Sequence, residues 1–582
     1  MMAEDESRSR LLRPVWLIEL VFFLLLAIAS TWPLATRFAT AIPRGQEGVA
    51  TVPLFNLWTI WWNADRADAL LDGYWDAPVF APAESTFAFS ESQPVTMIVA
   101  PVVWLSESRA SAYNLYLLSV LAANGWCGSL LIRSLTSDRL AGLWGGTALS
   151  LLPFVHWQLG VLQLTSLFGI LLTLHFLIRF CADLKWQDSL LAGASAGICY
   201  LACHYYGYQL FLVLLFALPV LLLKRRRFGR MSVGLAVALV ITGAIVLPVA
   251  RMQLSSAGEQ TWDRNRDVVG RLSAAQNDYQ RTPWRGPLVE GDSKFPLSPG
   301  IACTVLAVAG AVIGLRRRES RRTTVFLLLF LAVAAQLSLG PRWVVWGVRP
   351  FECLAEWLPG LSAMRSPHRF AVLVQVSCVV LAGLSSGRWK TQVSGSSVNG
   401  DGGLAASSPD SLQPLTGYDR VAFWTRSALL CGVLVEFWPA SPYLYSMPDY
   451  EQQRAWIEWM KSETEPQDIV ASLPFPAGRT VSDYEETTVA MLWATYHKRR
   501  LANGYSGFFP NGFLQLKHDV QNFPDSKSIR SLQQAGVRWC VVDVSRLKPS
   551  SVEKLREQSV LRQRFEAEDG STQIYEVRPL GE

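Results

Sequence analysis

Charge is what this chain has little of. Only 17% of its 582 residues are Asp, Glu, Lys or Arg, whereas 50% are hydrophobic and 23 are Trp. So much apolar surface cannot be hidden in one soluble core, and composition alone points to a membrane protein. The signatures of soluble nucleotide or metalloprotease chemistry are also missing: there is no phosphate-cradling Gly loop and no HExxH pair. A disulfide framework is excluded as well. Cys127, Cys181, Cys199, Cys203, Cys303, Cys378 and Cys431 lie in or beside apolar stretches, where they behave as small hydrophobes. That leaves Cys353 and Cys540 as one conceivable bridge. The net charge of +6 sits in short basic clusters between apolar segments. Positive-inside topology accounts for them, so no nucleic-acid partner is expected.

Eleven windows are long and apolar enough to be read as spans: 15–36, 111–132, 140–158, 160–179, 188–204, 206–223, 231–250, 299–315, 323–340, 369–387 and 421–438. The first has signal-peptide features, with Arg8, Arg10 and Arg13 before it and Ala39-Thr40-Ala41 after it. It is nonetheless long enough to cross, and Arg37 sits awkwardly for cleavage, so an uncleaved first helix is expected. Residues 1–14 then lie in the cytoplasm, together with the clusters KRRRFGR (224–230) and RRRESRR (316–322) and a Gly/Ser-rich flexible linker at 388–420. This assignment makes 15–438 a transmembrane domain with outer loops at 38–110, 251–298 and 341–368, and places 439–582 outside. The apolar stretch 95–105 is too short to cross and reads as interfacial or re-entrant, and 341–368 reads as amphipathic. From 449 onward helix and strand patterns alternate, as in a small α/β domain.

The stretch on which these expectations turn is 31–63, TWPLATRFATAIPRGQEGVATVPLFNLWTIWWN. It delivers the chain to the outer face and offers one carboxylate, Glu47, which could act as general base towards an acceptor hydroxyl attacking a sugar carbon. An ordinary solvated loop Glu is the plain alternative. Asp65, Asp68 and Asp72 share a helix face at i, i+3, i+7 and could hold a divalent cation, although a helix lying on the membrane shows the same spacing. Arg365, His368 and Arg369 stand at the start of a late span, suited either to a lipid phosphate or to anchoring that helix at the interface. Glu19 and Glu436 fall inside spans, where an ionisable group is a functional suspect by default. His156, His175 and His204 lie in or at the ends of spans; Cys199, Cys203 and His204 do not share one helix face and read as packing.

TWPLATRF, LFNLWTIWW, APVFAP, AYNLYLL, SAAQNDYQRTP, SLGP, MRSPHRFAVL and, near the C-terminus, NGYSGFFP and AGVRWCVVD together resemble the GT-C superfamily of polytopic membrane glycosyltransferases. The resemblance implies a mainly α transmembrane bundle of about 11 spans in a bacterial inner membrane, with a small extracytoplasmic α/β domain. It also implies a sugar donor on polyprenyl phosphate, a glycan, lipid or protein acceptor, and a catalytic acid in the first outer loop. In that scheme Glu47 is the base, Arg365 or Arg369 holds the donor phosphate, and Trp58, Trp61 and Trp62 line a sugar or lipid site. One departure stands out: where such enzymes carry an Asp soon after the first helix, this chain has Gln46-Glu47 and no Asp before Asp65. A non-catalytic relative that assists envelope glycan assembly through its C-terminal domain is therefore the alternative. A transporter ranks below both, because no repeat or charged path is visible.

Overall fold

The computed structural model describes residues 2–222, 228–256, 266–281, 294–358, 360–361, 364–386 and 417–579. The linker expected at 388–420 falls outside them up to residue 416, as do residues 224–227 of the first basic cluster. The described chain is mainly helical, and every one of the eleven windows contains helix.

Among the described residues, five helices are both long and apolar enough to cross a membrane: Arg109–Thr136, Leu162–Asp183, Phe228–Ser255, Arg321–Ser338 and Pro367–Ser385. Several of the other windows are shorter or interrupted. Window 140–158 breaks into Arg139–Ser150 and Pro153–Trp157. Pro153 supplies no N–H to the preceding turn, and a 12-residue helix rises only about 18 Å, short of the roughly 30 Å hydrocarbon core. Windows 188–204 and 206–223 meet at an extended Cys203. The share of each apolar stretch buried in the protein sorts the helices. Phe228–Ser255 has 11% buried and is peripheral, whereas Pro367–Ser385 has 94% buried and forms the centre of the bundle. Arg369, in the first turn of that central helix, is thereby partly buried, whereas Arg365 before it is exposed.

Ionisable groups within the bundle are accounted for by packing. Glu19 pairs with Arg133 at 2.9 Å. Glu436 accepts the backbone N–H of Ala302 at 3.1 Å, capping the Ile301–Arg316 helix. His156 is hydrogen-bonded to the Ser150 carbonyl at 3.1 Å, and His175 lies 3.5 Å from Arg179.

The C-terminal stretch folds around a five-stranded sheet of order β4-β3-β5-β7-β6. The strands are β3 (Ile469–Leu473), β4 (Arg500–Leu501), β5 (Val537–Asp543), β6 (Leu561–Glu566) and β7 (Thr572–Val577); the first three in that order are parallel and the last two antiparallel. Cys540 is buried in β5 and Cys353 is exposed on the Pro350–Trp357 helix; both are unbonded, so the conceivable bridge does not form.

Main-chain bonds fasten this unit to the loop segment that follows the first helix. Strand β1 (Ala41–Pro43) pairs with β2 (Leu444–Ser446), and the Phe80 and Ala81 N–H groups donate to the carbonyls of Asn503 and Leu501 at 3.1 and 2.8 Å. The Thr51–Asp68 helix also lies against the Glu485–His497 helix. There Glu485 accepts the Ala50 N–H at 2.9 Å and Lys498 pairs with Asp65 at 3.0 Å.

Candidate active site

The loop bearing Glu47 is held by two glycines. Gly45 has a positive φ of +59° and lies so close to the turn at 159–160 that a Cβ there would stand 2.7 Å from the Gly160 nitrogen. Conversely, a Cβ on Gly160 would collide with the Arg44 carbonyl and come within 3.0 Å of the Glu47 side chain. The backbone of 44–48 is thus pressed against the turn after Trp157, which leaves Glu47 partly buried.

Arg369 approaches from the central helix. Its guanidinium lies 4.5 Å from the Tyr205 ring centroid, and its Nε is buried without a hydrogen-bond partner. Burial pushes the Glu47 carboxyl up from its ordinary value, and the Arg369 charge partly offsets this. Arg365 is exposed, and it and Glu47 both lie within electrostatic reach of Tyr505, whose hydroxyl burial raises to about 12 against the opposing effect of Arg365. The structure thus brings Glu47, Arg365 and Arg369 into one neighbourhood, with Tyr505 of the C-terminal region beside them.

A second carboxylate, which sequence reasoning missed, completes the group. Both oxygens of Glu91 are buried, and neither makes a well-aligned hydrogen bond. They face the His204 and Tyr205 amides at the N-terminus of the His204–Ala217 helix, and they feel the charge of Arg369. Burial raises Glu91 to about 7, with Arg369 and those amides opposing the shift. Although the residue as a whole is only partly buried, its carboxyl group is enclosed, and the atoms decide the chemistry. The Nε2 of His204 is likewise buried and unpartnered, and the buried hydroxyls of Tyr116 and Ser166 lie against each other. Buried polar atoms beside an interior guanidinium make this the candidate site.

The signal that could have found Glu91 is a pair of asparagines in LFNLWTIWWN. Asn56 and Asn63 are seven residues apart, on one face of an otherwise apolar helix, and both are buried. Asn63 donates to the Ser92 and Gln93 carbonyls at 2.7 and 3.1 Å, and Asn56 accepts from Gln93 at 2.9 Å. Gln253 adds a 3.0 Å bond to the Ser90 carbonyl. Together these bonds hold the backbone on either side of Glu91.

The other sequence candidates lie elsewhere. His368 is stacked on Phe295 at 4.1 Å and bonded to the Leu272 carbonyl at 2.9 Å, so its ring is occupied by packing rather than turned to a phosphate. Trp58, Trp61 and Trp62 are at most 4% exposed and pack on one another and on Phe87; Trp62 spends its N–H on the Tyr74 carbonyl. They support the loop helix rather than line an open surface. Asp65 is tied to Arg66 and Lys498, Asp68 is the last residue of its helix, and Asp72 lies in the turn beyond it. The helix stops before the third acid, so the shared face is lost. Among the described residues no three His, Cys, Asp or Glu side chains gather as a metal site.

No protein-family model and no curated protein matches the chain. Solved structures do. The arabinofuranosyltransferase AftD from mycobacteria, in one cryo-EM class of a mutant, aligns over 97% of this chain at 13% identity with a TM-score of 0.56. A second class aligns over 95% at 12% identity with a TM-score of 0.53. This chain covers 42% and 41% of those two, less than half their length. An oligosaccharyltransferase from Archaeoglobus fulgidus aligns over 97% of this chain and 74% of its own at 12% identity, with a TM-score of 0.49. With its apolar helices and this likeness, the chain is a membrane protein of the GT-C fold.

Proposed function

We propose that the protein transfers a sugar from a polyprenyl-phosphate donor to an acceptor hydroxyl at the outer face of a bacterial inner membrane. The observation that carries this reading is the meeting of two loop carboxylates, Glu47 and Glu91, with one interior guanidinium, Arg369. In the reaction the acceptor oxygen bonds to the anomeric carbon as the bond from that carbon to the phosphate oxygen breaks. Glu47 takes the acceptor's proton, and its raised pKa makes it a better base than a solvated carboxylate. The leaving phosphate gathers negative charge, which Arg369 receives from within and Arg365 from the rim. Glu91, poised near neutrality, limits the negative charge around Arg369 by holding a proton when the phosphate is present. Glu47, although not the Asp of the resemblance, supplies the same functional group with one more methylene of reach.

The likeness to AftD makes lipid-linked arabinofuranose the first donor to try. The test is transfer from labelled polyprenyl-phosphate sugars in membranes, with and without Mg²⁺ or Mn²⁺. Removing a general base costs roughly 10²–10⁴-fold, so Glu47→Gln is expected to lower transfer at least 100-fold. Full retained activity would remove Glu47 from the mechanism.

A further inference from the structure

A second site, with its own lining residues, lies in the C-terminal sheet. A cavity of about 240 Å³ opens between the sheet and the Tyr450–Glu463 and Glu485–His497 helices, and all its walls come from residues 448–572. It stands at the ends of β3 and β5. The chain leaves β3 for β4 on one side and returns to β5 on the other. In parallel α/β sheets the crevice at such a reversal, beyond the carboxyl ends of the strands, is where ligands bind. The sheet topology and the cavity are independent observations that coincide here.

The lining indicates the chemistry. Trp456 and Trp493 form apolar walls, Ser472 and Asp543 stand partly buried at the strand ends, and Glu486 and Arg546 form a 3.3 Å ion pair at the exposed rim. Two carboxylates against one guanidinium leave a negative balance, which disfavours a phosphate. The segment after β3 also carries Pro474 and Pro476, which offer no backbone N–H to an anion. What fits is a neutral polyol: hydroxyl groups for carboxylate and serine oxygens, and an apolar ring face for the indoles. The volume lies just below the roughly 300–1,000 Å³ of pockets for drug-sized ligands, so it suits one sugar ring and not a chain.

We infer that this cleft binds one neutral sugar residue of the acceptor glycan, and thereby presents the acceptor to the Glu47 site. The inference rests on the transferase reading for the identity of the ligand, and its test is separable from that reading. The protein in nanodiscs, free of sugar-based detergent, is titrated with neutral arabinose and mannose oligosaccharides, with inorganic phosphate as the control, and binding is followed by saturation-transfer NMR. The expected result is binding of a neutral oligosaccharide and not of phosphate, weakened at least fivefold by the double variant Glu486→Gln/Asp543→Asn. Absence of sugar binding, or equal binding by the double variant, overturns the inference. Should the double variant melt lower than wild type, Ser472→Val decides by the same criteria, because Ser472 is bonded to Asn503 through its backbone N–H and carbonyl, which the substitution keeps. Sugar binding without transfer refutes only the transferase reading; transfer without sugar binding refutes only the cleft.

Discussion

Replacing Glu91 by Gln tests whether the buried carboxyl is held as described, without any knowledge of the substrate. The folded protein keeps a proton on Glu91 up to about pH 7, whereas in the unfolded chain the group titrates near the ordinary 4.5. Because the folded value is the higher, the contribution is fully present below about pH 4.5 and is lost as the pH rises through 7. The gap between 7 and 4.5, at about 1.4 kcal/mol per pH unit, comes to about 3 kcal/mol. Glutamine has nearly the same shape and stays neutral, so it escapes that loss. Thermal unfolding of wild type and variant in nanodiscs should therefore coincide near pH 4 and diverge above pH 7, with Glu91→Gln the more stable by up to about 3 kcal/mol at pH 8.5. Glu47 titrates in both proteins and cancels in the difference. A stability difference that is flat across pH 4 to 8.5 would refute the buried, proton-holding Glu91.

Two further outcomes are expected. Gly160→Ala should displace the 44–48 loop, because its new methyl has no room beside the Arg44 carbonyl; overpacking of this kind costs about 1–3 kcal/mol, and sugar transfer should fall more than the melting temperature alone explains. For topology, a reporter fused after residue 320 should be cytoplasmic and one fused at 582 external, as the arginine-rich stretch 316–322 requires under the positive-inside rule.

What could be foreseen from the chain follows the range over which each signal acts. Hydropathy is a property of consecutive residues, so it located helical material in every window and separated two of them close to the extended Cys203, yet it did not register the break at Pro153. Local chemistry was equally legible in the C-terminal region. Gly536, at a φ of +70°, ends the pattern of the Ser526–Gln534 helix just before the buried run that becomes β5. Side-chain partners were not legible. Glu19 and Glu436 stood out as lone charges in apolar runs, but Arg133 and the Ala302 amide that satisfy them are more than 100 residues away. His368 and the three Trp could equally have faced a ligand or the core, and packing decided for the core.

The site itself combines both kinds of signal. Glu47, Arg365 and Arg369 were visible because each is a charge beside an apolar segment, where a charge is costly unless it is used. Their convergence depends on contacts hundreds of residues apart: a loop pressed on the Gly160 turn, a central helix buried along nearly its whole apolar stretch, and Tyr505 brought in by the pairing of residues 78–81 with 501–503. Glu91 shows what a sharper reading would use. A lone acid in FAFSESQP looks solvated, but Asn56 and Asn63 on one face of an apolar helix must find partners if that face is buried. Here the partners come from Ser92 and Gln93, whose segment folds back over the helix and carries the neighbouring Glu91 with it. Buried amides in an apolar helix are therefore a pointer to the next loop, and here the loop they point to holds the second carboxylate of the site.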